Sequence, residues 1–275
     1  MPVAIRVADS VTAPPADPAG RVLVTGSHGG RFSGQAAAAL GVRGAIFSDA
    51  GGGLDDAGIA GLAVLDGLGI PGAAVSHRSA RIGDGADLWT RGVISAVNAA
   101  AAAVGCIMGQ GCAAAAVCMT AAAWRPSAGA AAEEARHLLR GGPVPVWGLD
   151  SNSLVRPEDA GAIVVTGSHG GLLGGCAASA VKAPVLAALY NDAGIGIDRA
   201  GLSRLPVLAA RGIAAAAVAA ATARIGDARS TWDSGILSAV NAVASRAGAA
   251  PGMTARACVD AILAWNAAAG SATRA

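Results

Sequence analysis

Short, almost continuously apolar runs alternate along this chain with longer stretches rich in Ala and Gly. AIRVAD (4–9), RVLVTG (21–26), GAIFSD (44–49) and GAAVSH (72–77) come first, and each closes on Gly, Asp or His. Their apolar positions do not alternate with polar ones, which predicts strands buried on both faces of a sheet. The intervening SGQAAAALGV (33–42), DDAGIAGLAVLDGLG (55–69) and ADLWTRGVISAVNAAAAAVG (86–105) are long enough for helices. IVVTG (163–167), LAALYND (186–192) and IAAAAVAA (213–220) restart the same order. Strand–helix alternation at this spacing predicts an α/β fold with mainly parallel sheets covered by helices.

The restart is an internal duplication. VLVTGSHGG (22–30) returns as IVVTGSHGG (163–171), and SDAGGGLDDAGIAGL (48–62) as NDAGIGIDRAGLSRL (191–205). SARIGD (79–84) returns as TARIGD (222–227), and GVISAVN (92–98) as GILSAVN (235–241). The copies are colinear apart from a two-residue insertion between Ala177 and Ala188. Two homologous Rossmann-like halves, residues 1–142 and 143–275, are therefore expected about a pseudo-twofold axis, with matching loops facing each other. The join falls at RGGPVPVWG (140–148), where Gly–Gly–Pro follows a helix-like EEARHLLR (133–140). Pro206 replaces Ala63, so a helix there starts or kinks at the proline.

Composition narrows the function classes. Hydrophobic residues make up 53% of the chain and charged residues 14%, which fits packed cores and not disorder. The Ala-rich runs at 99–103 and 214–221 are too short to span a membrane, so no membrane partner is expected. MPVAIRVADS has no basic segment leading into an apolar one, so no signal peptide is expected. The net charge of +2 is spread out, which argues against a nucleic-acid partner. Lys182 is the only lysine, so no GxxxxGK[ST] phosphate loop exists. Five cysteines without CxxC spacing fit a reducing cytoplasm and offer no zinc motif. A homo-oligomer is compatible with all of this.

The polar residues that recur at strand ends are the candidate chemistry, because open parallel sheets bind ligands there. In GSHGG, Ser27, Gly29 and Gly30, with Ser168, Gly170 and Gly171, would offer hydroxyls and backbone N–H groups to an anion at a helix start. His28 and His169 would transfer protons near neutral pH. The bland alternative is a tight turn whose His caps the backbone. The pattern is not GxGxxG and no ribose-binding acid follows, so no dinucleotide or redox cofactor is expected.

Asp49 and Asp192 would orient those imidazoles or act as bases, or else form Asx turns. Together with His28 and His169 they would make a mixed N/O metal site if the halves met there, though no metal is assigned. Arg81 and Arg224 in ARIGD would clamp a substrate carboxylate, or pair internally with Asp84 and Asp227, which would then cap the helices that follow. Asp55 and Asp198 read as helix caps, and Trp89 and Trp232 as packing. Asp9-Ser10 and Asp150-Ser151 recur after the first strand of each half and point to the same rim. Cys176, just after the second GSHGG, would be a thiolate if a helix began there.

Two family resemblances meet the residues and fail on them. A strand ending in SHGG followed by one ending in SDAG resembles the caspase-like peptidases, but Gly51 and Gly194 stand where that nucleophile belongs. The duplicated plan is similar to the aspartate/glutamate racemases, but Cys176 faces Gln35 across the repeat instead of a second cysteine. The expected function is a cofactor-independent enzyme performing hydrolase or isomerase/lyase chemistry on a small, anionic, amide- or carboxylate-bearing metabolite between the halves. The alternative is an organic-anion binding or sensing protein.

Overall fold

The computed structural model describes residues 4–124 and 133–272. In the first half β1 (Ile5–Ala8), β2 (Val22–His28), β3 (Gly44–Ser48) and β4 (Gly72–Val75) lie parallel in that spatial order. A fifth strand, β5 (Ile94–Val97), runs antiparallel beside β4. The helices of this half are α1 (Arg31–Ala39), α2 (Gly61–Gly67), α3 (Gly85–Arg91), α4 (Ala99–Ala103) and α5 (Cys112–Met119). In the second half β7 (Val146–Leu149), β8 (Ile163–His169), β9 (Ala187–Asn191) and β10 (Ala214–Val218) repeat the parallel core. It is edged by antiparallel β6 (Arg136–Arg140) and β11 (Leu237–Val240). Its helices are α6 (Arg204–Ala210), α7 (Ala228–Ser234), α8 (Ala242–Arg246) and α9 (Ala255–Ala272).

The apolar runs explain the layering. Successive side chains of a strand point to opposite faces. Ala45 and Phe47 of β3 therefore pack with Ala37, Ala38 and Leu65 from α1 and α2. Ile46 packs on the other face with Leu88, Ala115 and Met119 from α3 and α5. The second half repeats this division, with α6 on one face and α7, α8 and α9 on the other. Among the described residues no helix is long and apolar enough to cross a membrane.

Four local expectations need correction. The long helix predicted over 86–105 is broken by β5, and its copy by β11. Gly92 and Gly235 end α3 and α7 in extended backbone, and apolar Ala-rich residues then serve a strand as readily as a helix. The asparagine that closes each of these strands pins the turn. Asn98 accepts from Gly72 and Ala101 N–H and donates to the Ile70 carbonyl, and Asn241 does the same to Ala215, Ala244 and Ile213. Residues 136–140 of the helix-like EEARHLLR form β6, an edge strand on β7. The second half has no counterpart of α1, only 3-10 turns at Leu173–Gly175 and Ala177–Ser179. Asp55 and Asp198 do not cap helices; both adopt positive φ and pair across the molecule.

The halves meet through the loops at the carboxyl ends of their strands. Gly51 and Gly194 touch backbone to backbone: a Cβ on Gly51 would lie 2.9 Å from the Gly194 Cα, at φ +76°. Around this point Ala50 and Ala193, Ile82 and Ile225, and Ala57 and Ala200 form a small core of matched pairs. Arg81 bonds Asp198 at 2.8 Å, and Arg224 bonds Asp55 in the mirror position. These ion pairs are about half exposed and individually weak. The close backbone approach is the demanding feature. Gly51→Val should lower the unfolding free energy by about 2–4 kcal/mol, from a side chain in a left-handed conformation and a clash that neither loop can relieve. Urea unfolding of parent and variant measures it, and a loss below about 0.5 kcal/mol would contradict this packing.

Candidate functional site

A cavity of about 490 Å³ opens where the two GSHGG strand ends face each other. His28 and Ser27 line it from β2, and His169 and Ser168 from β8. Ser10, Thr12, Asp150, Ser151 and Ser153, from the loops after β1 and β7, form another wall, so Ser10 and the Asp150-Ser151 pair reach this rim, whereas Asp9 does not line it and accepts from Gly85 N–H. Ser27 and Ser168 hold those loops, their hydroxyls accepting from Val11 N–H at 3.0 Å and Asn152 N–H at 2.8 Å.

Each imidazole is fixed by its own glycine. Gly30 N–H donates to His28 Nδ1 at 3.1 Å, and Gly171 N–H to His169 Nδ1 at 3.2 Å. With Nδ1 accepting, the proton of the neutral ring sits on Nε2. Neither Nε2 has a hydrogen-bond partner among the described residues. The Cε1 edge of each ring lies against a glycine of the opposite half: a Cβ on Gly226 would be 3.4 Å from His28 Cε1, and one on Gly83 3.3 Å from His169 Cε1. Burial pushes the His28 ring down to about 4. Burial first, then the charges of Arg204 and His28, holds His169 well below the usual histidine range. Both rings are therefore neutral donors at pH 7.

The other sequence candidates are placed differently. All four glycine N–H groups are occupied: Gly29 and Gly170 donate to the Ser48 and Asn191 carbonyls, and Gly30 and Gly171 to the imidazoles. No anion cradle is left in these turns. Asp49 accepts from Gly51 N–H, His77 N–H, His77 Nδ1 and the Ser95 hydroxyl, each at 2.9–3.0 Å. Burial opposes its ionisation, but these hydrogen bonds, led by the His77 side chain, hold it below the usual carboxylate range. Asp192 accepts from Gly194 and Ala220 N–H in the same way. Both aspartates thus tie the seam loops and do not touch His28 or His169. Arg81 and Arg224 are committed to the cross-half ion pairs. Asp84 and Asp227 cap α3 and α7. Trp232 packs in the core. Cys176 is exposed between two short 3-10 turns and precedes the second of them, and no α-helix begins there. No group of three or more His, Cys, Asp or Glu among the described residues is placed to hold a metal ion.

Three charged cavity residues escaped the sequence reading. Glu134, beside β6, accepts from the Ser153 hydroxyl at 3.3 Å, and burial pushes its carboxyl up to about 7. Lys182 reaches the wall from the segment 177–188 and donates to the Ser153 carbonyl at 2.9 Å. Arg204, at the start of α6, is buried at 3% exposure and also lines the cavity. The available signal was departure from the repeat: the lone lysine lies in the inserted segment, and Arg204 stands where the first copy has Gly61.

Comparison with protein-family models, with curated proteins and with solved structures finds no match to this chain.

The neutral imidazoles make stability depend on pH. The unfolded chain protonates these rings near the ordinary value of 6.5, whereas folded His28 does so only near 4. Their contribution is fully present above pH 6.5 and is lost as pH falls toward 4, because the unfolded state binds the extra protons. Glu134 acts with opposite sign between its ordinary value of 4.5 and about 7, so the difference between parent and His28→Gln isolates the histidine. That difference should change by roughly 1–3 kcal/mol between pH 7 and pH 4.5 in urea unfolding. A difference that stays flat would mean that His28 titrates normally.

Proposed function

We propose that the protein is a small-molecule enzyme that hydrolyses, or transfers a proton on, an amide- or carboxylate-bearing metabolite in the cavity between its halves. The observation that carries this reading is the convergence on one cavity of two Nε2–H donors and a carboxyl held near neutrality. A general base works best with a value near the working pH, which suits Glu134. Neutral imidazoles with Nδ1 filled cannot take a proton there. They instead donate from Nε2 to a carbonyl oxygen as negative charge grows on it. Glu134 then removes a proton, either from a water that attacks the carbonyl carbon, passing that proton to the amine nitrogen as the C–N bond breaks, or from the carbon beside the carbonyl, where the proton returns to another position or a leaving group departs with its electron pair. The two outcomes are hydrolysis and isomerisation or elimination. The cytoplasm, a reducing compartment, suits the cysteine content.

The test is incubation of the full chain in D2O with a panel of amides, cyclic imides and carboxylates, followed by proton NMR for hydrolysis products and for exchange of the proton beside the carbonyl. Turnover should rise with pH through an apparent pKa of about 7. Glu134→Gln should slow it by roughly 10²–10⁴-fold. His28→Ala and His169→Ala should each slow it by roughly 10²–10³-fold. A parent protein inert across the panel, or full activity in all three variants, removes this reading.

A further inference from the structure

We propose that Arg204 and Lys182 form a subsite for a substrate carboxylate at the end of the cavity built by the second half. The proposal rests on the cavity being a ligand site, as above, but does not require turnover.

Arg204 is a buried cation with no acidic partner among the described residues. Its Nε donates to the Gly171 carbonyl at 2.9 Å, its Nη1 is held by the carbonyls of Ser179 and Ala180, and its guanidinium lies 5.2 Å from the Tyr190 ring centre. All of these partners are neutral. They fix the orientation of the group without cancelling its charge, and a buried charge in that state is costly. The Tyr190 side chain adds a further neutral hydrogen-bond partner, no carboxylate joins the set, and the residue lines the cavity. An incoming anion would supply the missing partner.

The duplication shows where this group came from. At the same repeat position the first half has Gly61, packed so tightly that a Cβ would lie 2.4 Å from the Gly30 carbonyl oxygen. No side chain fits there beside α1. In the second half α1 is replaced by the turns at 173–179, and Arg204 takes the freed space. Cation and opening therefore occur together, on one side only.

The charge of the lining selects the class of anion. Arg204 and Lys182 face Asp150 and Glu134 in this cavity. With Glu134 protonated below about pH 7, one positive charge is in excess. A carboxylate monoanion balances it and a sulfate dianion does not.

The experiment uses the full chain at pH 6.5 and constant ionic strength, titrated with monocarboxylates from acetate to pentanoate, with their amides and with inorganic sulfate. Thermal unfolding and the Arg204 guanidinium 15N resonances are the readouts. At least one monocarboxylate should raise Tm saturably and shift the Arg204 signal, and its amide should do neither. Arg204→Met should weaken that binding about 10- to 100-fold, and Arg204→Lys by less. If Arg204→Met fails to fold, the resonance shift in the parent decides the matter. The proposal is overturned if no monocarboxylate saturates, if the amide binds equally, if sulfate binds tighter, or if the Arg204 signal does not move. Carboxylate binding without any turnover would keep the subsite and remove only the enzyme reading. Turnover of substrates lacking a carboxylate, undiminished in Arg204→Met, would do the reverse.

Discussion

The contact between the backbones of Gly51 and Gly194 sets the rest of the molecule. Two loops at the carboxyl ends of two parallel sheets approach so closely that neither tolerates a Cβ, and both adopt positive φ there. This approach brings the matched alanines and isoleucines into one small core and puts each Arg of ARIGD within reach of the opposite Asp. It also sets the two GSHGG strand ends on opposite walls of one cavity. Neither half forms this cavity alone. Within each half the strands run in simple order, without the reversal that creates a crevice in doubly wound sheets. The crevice arises between the copies instead.

Most of the duplicated polar residues serve this packing. Asp49 and Asp192 satisfy backbone N–H groups at the seam, and Arg81 and Arg224 join the halves. The paired imidazoles differ: their backbone-facing nitrogens are satisfied by Gly30 and Gly171, and their other nitrogens are left without a partner among the described residues. Burial keeps both rings neutral. Lys182 and Arg204 come from the second half and Glu134 from the segment leading into its edge strand, so an approximately symmetric scaffold carries an asymmetric set of charges. In the proposed reading the symmetric pair polarises a carbonyl, while the charged residues of one half move the proton and hold the anion.

The departures from symmetry follow from packing. Loss of the second α1 leaves room beside β8 and β9 that Tyr190 and Arg204 fill. Tyr190, the counterpart of Phe47, places its hydroxyl 3.1 Å from Asn152 Oδ1 and 3.0 Å from the Ala180 carbonyl, so the segment that replaces the helix is anchored to the loop after β7. His77, whose counterpart is Ala220, bonds Asp49 through its ring Nδ1, and its backbone carbonyl accepts from Ile197 N–H across the seam. Each change fills a polar or steric need created by another.

The sequence by itself determined the α/β class, the duplication, the parallel strands and the shared placement of His28 and His169, because long apolar runs and repeated motifs are local and survive without coordinates. It also located Asp84 and Asp227 as caps, since a cap is satisfied three residues away. Only the tertiary structure separated β5 and β11 from the helices around them, since Ala-rich apolar residues suit either element and a neighbouring strand decides. Only the tertiary structure assigned Asp49 to His77, Arg81 to Asp198 and the glycine N–H groups to the imidazoles, because hydrogen-bond partners are chosen by proximity in space. Glu134 and Arg204 stayed invisible for the same reason: a charge becomes unusual only when folding removes its water and withholds its counter-ion.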